Sequence, residues 1–160
     1  MHKPLTTRRR LGALLSLELV IALPVMLIVV FAAVEFSLLL LGTQAITAAA
    51  NVGARQAALP STTSEEVEEA VFQVLQTWRW AKSEHLQVLI SVDGDLVYDS
   101  QSMSPSDKDP QNILGAAPTG SEVMVTLNLK SNQAAPDLLK VFKLGLGDQE
   151  LTASFVTRKE

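Results

Sequence analysis

The chain contains no cysteine, a single tyrosine, two tryptophans and two histidines. Without cysteine there are no disulfides, no thiolate chemistry and no cysteine-ligated metal. The compartment stays open, because a domain of about 100 residues can fold outside the cell without disulfides. His2 and His85 are too few for most metal or triad constellations, and His85 falls at a helix–strand junction where a structural role is expected. Asp93, Asp95 and Asp99 around Gly94 resemble the start of a calcium loop. The closing glutamate is missing at its proper spacing, where Pro105 to Asp107 stand, so a turn with solvated acids is the simpler reading. Gly145-Leu146-Gly147 lacks the further glycine and the strand context of a dinucleotide loop. No carboxylate pair marks a cleft. Catalytic residues, a metal and a cofactor are therefore not expected, and an enzyme is disfavoured. The net charge is −4 and the C-terminal part is not basic, which argues against nucleic-acid binding.

What the chain does have is a run of almost unbroken apolar residues from Leu11 to Leu41, entered from Arg8, Arg9 and Arg10. A run of this length reads as a membrane-spanning helix. Lys3 and the three arginines, with no acid beside them, form a topology signal that puts residues 1–10 in the cytoplasm and the rest across the membrane. Glu18 interrupts the run early, and a carboxylate in that setting costs several kcal/mol unless something compensates it. A secretory signal peptide also begins with basic and then apolar residues. Here Leu19 to Val34 is already long without a charge, and no good small-x-small site lies near Ala32-Ala33, so a retained span is preferred over cleavage there.

The helical pattern does not stop at the membrane exit. Residues 42–59 are rich in alanine and hold no proline or turn cluster, and Ala, Leu, Gln and Arg favour helix. Ile46, Ala49, Ala50, Gly53 and Ala57 recur at three and four residues and make one face of small residues. That face suits close packing, either with neighbouring helices or with the protein's own domain. A single helix over about residues 14–58 is expected, of order 65 Å long. Pro24 should loosen or slightly kink it, and Pro60 with Ser61, Thr62 and Thr63 should end it. Glu35 is read as interfacial, at the outer membrane edge.

These residues resemble a known family. A basic run, a small residue, an apolar helix with an early glutamate and a long helical extension are shared by type IV pilin-like proteins. Residues 8–59 are similar to TadE-like minor pseudopilins of tight-adherence (Flp-type) pili. The resemblance rests on Glu18 followed by Pro24, on the Glu35-Phe36 pair and on the alanine-rich stretch ending in Gly53-Ala54-Arg55. The closing ELTASFVTRKE resembles that family's last strand. The resemblance implies cleavage by a prepilin peptidase on the cytoplasmic side, after Gly12 or after Ala13. Only the second cut makes Glu18 the fifth residue of the mature chain, and the misfit of the first leaves an uncut chain open. It also implies a role for Glu18 in subunit assembly, where the carboxylate pairs with the α-amino group of a neighbour and offsets the burial of both charges. Snorkelling of Glu18 to the headgroups is the competing account.

The rest reads as an α+β domain. Ser64, Glu65 and Glu66 open a helix expected over about 64–82, with Val67, Val71, Val74, Leu75 and Trp78 as its stripe. Of Trp78 and Trp80, one is expected inward. His85 to Val92 alternates as a strand, and Asp93-Gly94-Asp95 turns it into a second at Leu96-Val97-Tyr98. Ser100 to Gly120 reads as a long loop, Val123 to Leu129 as a strand, Leu138 to Leu144 as a short helix and Leu151 to Thr157 as the last strand. Two helices on an antiparallel sheet of three or four strands is the expected fold.

The expected organisation is a basic cytoplasmic leader (1–13), a transmembrane helix (14–41), a helical extension (42–59) and an extracytoplasmic α+β domain (60–160). The expected protein is a single-pass inner-membrane pseudopilin that works in pilus assembly through helix packing. Its partners would be other pilins, the assembly platform, prepilin peptidase and the lipid bilayer, with no nucleic acid. The alternatives are a bitopic anchor presenting a small ligand-binding or sensor domain, and a secreted domain released by signal peptidase.

Overall fold

The fold is that of a computed structural model, which describes residues 7–78, 85–101, 112–136, 138, 140, 143 and 149–160. Helix α1 (Thr7–Ala58) runs 52 residues without a break and carries Pro24 inside it. At 1.5 Å per residue it is about 78 Å long. Pro60 follows its last turn, and Ser61 takes a positive φ of 59° at the reversal into the second helix.

Helix α2 (Ser64–Leu75) starts where its sequence signal places it, with Thr63 as N-cap. The Thr63 hydroxyl accepts from the Glu66 N–H at 3.3 Å, and the Thr63 N–H donates to the Glu66 carboxylate at 3.1 Å. This reciprocal pair is a capping box. The helix expected over 64–82 stops at Leu75, where the Trp78 N–H closes a tight turn on the Leu75 carbonyl at 2.8 Å. The turn tucks Trp78 against the core. Trp80 lies outside the described residues.

Strands β1 (Leu86–Val92) and β2 (Asp95–Asp99) form a hairpin. Its two turn residues, Asp93 (φ 51°) and Gly94 (φ 92°), are both left-handed, the geometry that matches strand twist and that Asp-Gly favours. Helix α3 (Ile113–Ala116) is one turn within the expected loop, most of whose earlier half lies outside the described residues. Strand β3 (Glu122–Lys130) leads into the one-turn helix α4 (Ser131–Ala134), which the sequence did not announce. Strand β4 (Glu150–Arg158) closes the chain. The helix expected at Leu138 to Leu144 lies largely outside the described residues.

All neighbours in the sheet are antiparallel, in the order β2-β1-β3-β4. Alternation sends Leu86, Val88, Ile90 and Val92 of β1, and Val123, Val125, Leu127 and Leu129 of β3, to one buried face. Against that face pack α2, through Val67, Val71 and Leu75, and the C-terminal third of α1, through Ile46, Ala49, Ala50, Ala54 and Ala57. The small residues of α1 thus face the protein's own domain. A two-layer α+β architecture results, built on a helical spine that runs on far beyond it.

Candidate functional site

Exposure along α1 divides the helix into two regimes. From Leu17 to Leu27 every side chain is exposed, with Leu19 at 66% and Ile21 at 65%. Glu18 belongs to this stretch and is exposed among leucine, valine and isoleucine. From Ile28 onward one side is covered: Ile28, Phe31 and Ala32 are half-buried, Glu35 is buried to 3%, Leu38 and Leu39 are half-buried, and Gly42 and Ile46 are buried. The opposite side keeps Phe36, Leu40 and Leu41 exposed. Glu35, read as interfacial, is thus buried at the start of the covered side of the helix. Its spacing could have announced this, since the stripe of Ile46, Ala49 and Ala50 runs backward through Gly42 and Leu39 to Glu35 at three and four residues.

Two carboxylates bracket this part of the helix. Glu18 and Glu35 are separated by about 26 Å along the axis at 1.5 Å per residue, close to the hydrocarbon thickness of a bilayer at about 30 Å. Mean hydropathy reaches 2.8 within Leu17–Ala58, and among the described residues this is the one helix long and apolar enough to cross a membrane. Such a helix fits a single-pass membrane protein. Arg8, Arg9, Arg10, Gly12 and Ala13 lie in the opening turns of the same helix, on the N-terminal side of Glu18.

The domain's polar groups do structural work. Asp93 accepts from the Glu122 N–H at 2.8 Å and so ties the hairpin turn to β3. Asp99, buried at β2, accepts from the Gln87 side chain at 3.0 and 3.1 Å and from the Gln101 N–H at 3.0 Å. Asp95 stays exposed, so the three aspartates do not converge. Asn128 donates to Gln87 at 3.4 Å, while its own buried Oδ1 meets no hydrogen-bond donor among the described residues. Beside this ladder lies a cavity of about 180 Å³ lined by His85, Gln87, Gln101, Asn128, Lys130 and Glu150, among others. Among the described residues no group of three or more His, Cys, Asp or Glu is placed to hold a metal.

The buried Tyr98 hydroxyl donates to the Glu68 carboxylate and joins β2 to α2. Burial, and then this hydrogen bond and the charge of Glu68, push the phenol well above its ordinary value. Raising a folded-state pKa stabilises the fold below the unfolded value of about 10 and loses that stabilisation as pH climbs through the raised one. Because Tyr98 is the only tyrosine, its ionisation can be followed alone. The tyrosinate absorbance of the folded protein should stay absent through the range in which a free phenol titrates, and appear only with alkaline unfolding. A normal titration in the folded protein would show that the hydroxyl is solvated instead.

At the far end of α1 the Lys159 ammonium, buried to 4%, donates to the carbonyls of Ala57 at 3.0 Å and Leu59 at 2.6 Å. The Glu160 N–H adds a bond to the Ala58 carbonyl at 2.9 Å. Burial lowers the Lys159 pKa. Neither Lys159 nor the Tyr98–Glu68 pair has a local sequence signal, because each joins residues far apart in the chain.

Against known proteins, residues 15–55, roughly a quarter of the chain, match the family model of TadE-like proteins. The matched stretch holds both Glu18 and Glu35 and ends within the small-residue face. No curated protein and no solved structure matches the chain.

Proposed function

From the TadE-like character of residues 15–55, we propose that this protein is a minor pseudopilin that assembles with other pilins in a tight-adherence pilus, by helix packing and without turnover of any substrate. The observation that carries the reading is the fully exposed helical stretch Leu17–Leu27 with Glu18 inside it, in the part of the chain that matches the family. In this reading α1 crosses the inner membrane with Arg8, Arg9 and Arg10 in the cytoplasm and the domain outside. Cleavage by prepilin peptidase after Gly12 or Ala13 would leave a new α-amino group within two turns of Glu18. A neighbouring subunit's amino group could then neutralise the carboxylate, which offsets the desolvation of both charges in lipid. The assembly platform and partner pilins would receive the helix in that register.

Glu18→Ala tests it. Membrane insertion should be unchanged, because removing a charge from an apolar segment makes insertion easier. Crosslinking to partner pilins should fall to background. Unchanged crosslinking would remove Glu18 from assembly. Intact mass of the membrane-extracted chain separates the routes: a start near residue 13 supports pilin processing, and a start beyond residue 33 excludes an anchored subunit. One observation favours the alternative of a bitopic anchor with a ligand-binding domain, namely the polar cavity beside Gln87 and Asn128. Under that alternative Glu18→Ala leaves every interaction of the domain intact.

A further inference from the structure

The two edges of the sheet are not alike. Edge strand β2 is five residues long, has an aspartate at each end, and breaks register against β1 between Ile90 and Ser91. Short length, charge and irregularity are the devices that keep an edge from pairing with another chain. Edge strand β4 has none of these along its length. It is nine residues long and in unbroken register with β3, from Glu150 opposite Lys130 to Arg158 opposite Glu122. Between Glu150 and Arg158 its sequence LTASFVT contains no charge, proline or glycine. Among the described residues no strand pairs with its outer side, and Thr152, Ser154, Phe155 and Val156 along it are exposed.

Such an edge accepts a strand, and its own sequence says which. Laid antiparallel on itself about Ser154, β4 puts Glu150 opposite Arg158 of a second copy, at both ends of the pairing. Each terminal row then alternates in charge, from Lys130 and Glu150 of one copy to Arg158 and Glu122 of the other. Between the ends, Thr152 falls opposite Val156 and Ala153 opposite Phe155, so each exposed apolar side chain meets a smaller one across the strands. In this register every facing pair lies on one face of the joined sheet.

The direction of α1 decides when this pairing is open. A Cβ added to Gly42 would stand 3.8 Å from the Leu151 side chain, at the start of β4. At the other end, Lys159 and Glu160 donate to the carbonyls of Ala57 and Ala58. Helix and strand therefore run the same way. Two antiparallel β4 strands carry two antiparallel α1 helices, whose apolar segments leave the joined sheet in opposite directions. Two spans that cross one bilayer in the same sense cannot meet that condition.

We propose that β4 is a self-complementary edge, which pairs antiparallel with β4 of a second copy of this chain, and that insertion of α1 in a common bilayer holds the edge open. Neighbours in one membrane keep β4 unpaired, and copies freed from a common bilayer close on each other. Only the second half rests on the membrane-spanning reading of α1.

Since the chain has no cysteine, Ser154→Cys in the full-length protein reports the pairing directly. The two copies of residue 154 face each other with Cα atoms about 5 Å apart, within the range a disulfide spans. Thr152→Cys controls for random collision, because its two copies stand about 14 Å apart in the same register. In detergent, mild oxidation should link Ser154→Cys severalfold more than Thr152→Cys. Adding Glu150→Arg or Arg158→Glu to Ser154→Cys should cut the linking, since like charges then face each other at both ends. Mixing these two variants restores both opposite-charge rows in the mixed dimer, so the disulfide between them should return. Misfolding of either variant cannot imitate that recovery. In dilute phosphatidylcholine vesicles the Ser154→Cys link should be lost, and detergent should bring it back. Equal linking at 152 and 154 in detergent, or no recovery in the mixture, overturns the self-complementary edge. Linking in vesicles that do not cluster means that lateral neighbours pair, which overturns the bilayer's hold on the edge. Linking that comes with vesicle clustering joins copies on facing membranes, which is the antiparallel arrangement, and supports the proposal. If alkaline carbonate strips the chain from the vesicles, the spanning reading falls and that hold with it, whatever the detergent result.

Discussion

Gly53→Leu should destabilise the domain by about 3 kcal/mol or more, beyond the usual cost of overpacking. A Cβ at Gly53 would lie 2.7 Å from Val71 Cγ2, 3.4 Å from Val125 Cγ1 and 3.7 Å from Val67 Cγ1. Those three valines are buried and belong to α2 and β3, so the side chain would be driven into the junction of all three elements. Val71 is β-branched and held in a helix, where one rotamer dominates, so it cannot swing away cheaply. Alanine at 53 is the informative intermediate. It gains about 1 kcal/mol of helix propensity over glycine, but meets the same close atom. Its net effect should be a modest loss, relieved when Val71→Ala removes the obstructing methyl. Denaturant unfolding of the detergent-solubilised protein, followed by tryptophan fluorescence, measures all three. A midpoint for Gly53→Leu equal to wild type would mean that α1 does not approach α2 this closely.

Lys159→Met should have the second largest effect, about 2 kcal/mol, the range expected for hydrogen bonds to a charged group whose partners stay buried. The ammonium satisfies two carbonyls left open at the end of α1, where the helix dipole also favours a cation. Methionine keeps the aliphatic bulk but none of the donors. The loss should appear in the same unfolding measurement, with hydrogen exchange rising first in the last turn of α1 and at the end of β4. The pH dependence has a definite sign. The folded chain holds the Lys159 proton less tightly than the unfolded one, so the contribution of this group to stability rises as pH climbs from the lowered value toward about 10.5. Lys159→Met should lack that rise, while the opposing alkaline loss from Tyr98 persists in both proteins. If the two proteins show parallel alkaline profiles, Lys159 is solvated and the cap is not formed.

Much of this molecule is legible along the chain because its signals are local. Alternation at Leu86, Val88, Ile90 and Val92 places a strand by period two, Asp93-Gly94 specifies the left-handed hairpin turn, and the leucine- and valine-rich run after Arg10 is apolar enough to demand lipid. The start of α2 is just as local, since Thr63 and Glu66, three residues apart, complete its capping box. In sequence the stripe of α2 continues through Trp78, but a tight turn after Leu75 delivers that indole to the core just as well.

Composition, periodicity and turn chemistry alone determined a long apolar helix with an early glutamate, a small antiparallel sheet and an α+β class, because each depends on residues within a few positions of one another. Only the folded chain decided which way the alanine face of α1 turns, that Glu35 is enclosed, that Lys159 closes the far end of the helix and that Ala134 and Leu151 pack beside Gly42. Those outcomes depend on contacts between residues tens of positions apart. The free energy of such contacts comes from desolvation and close packing, which no single stretch of sequence contains.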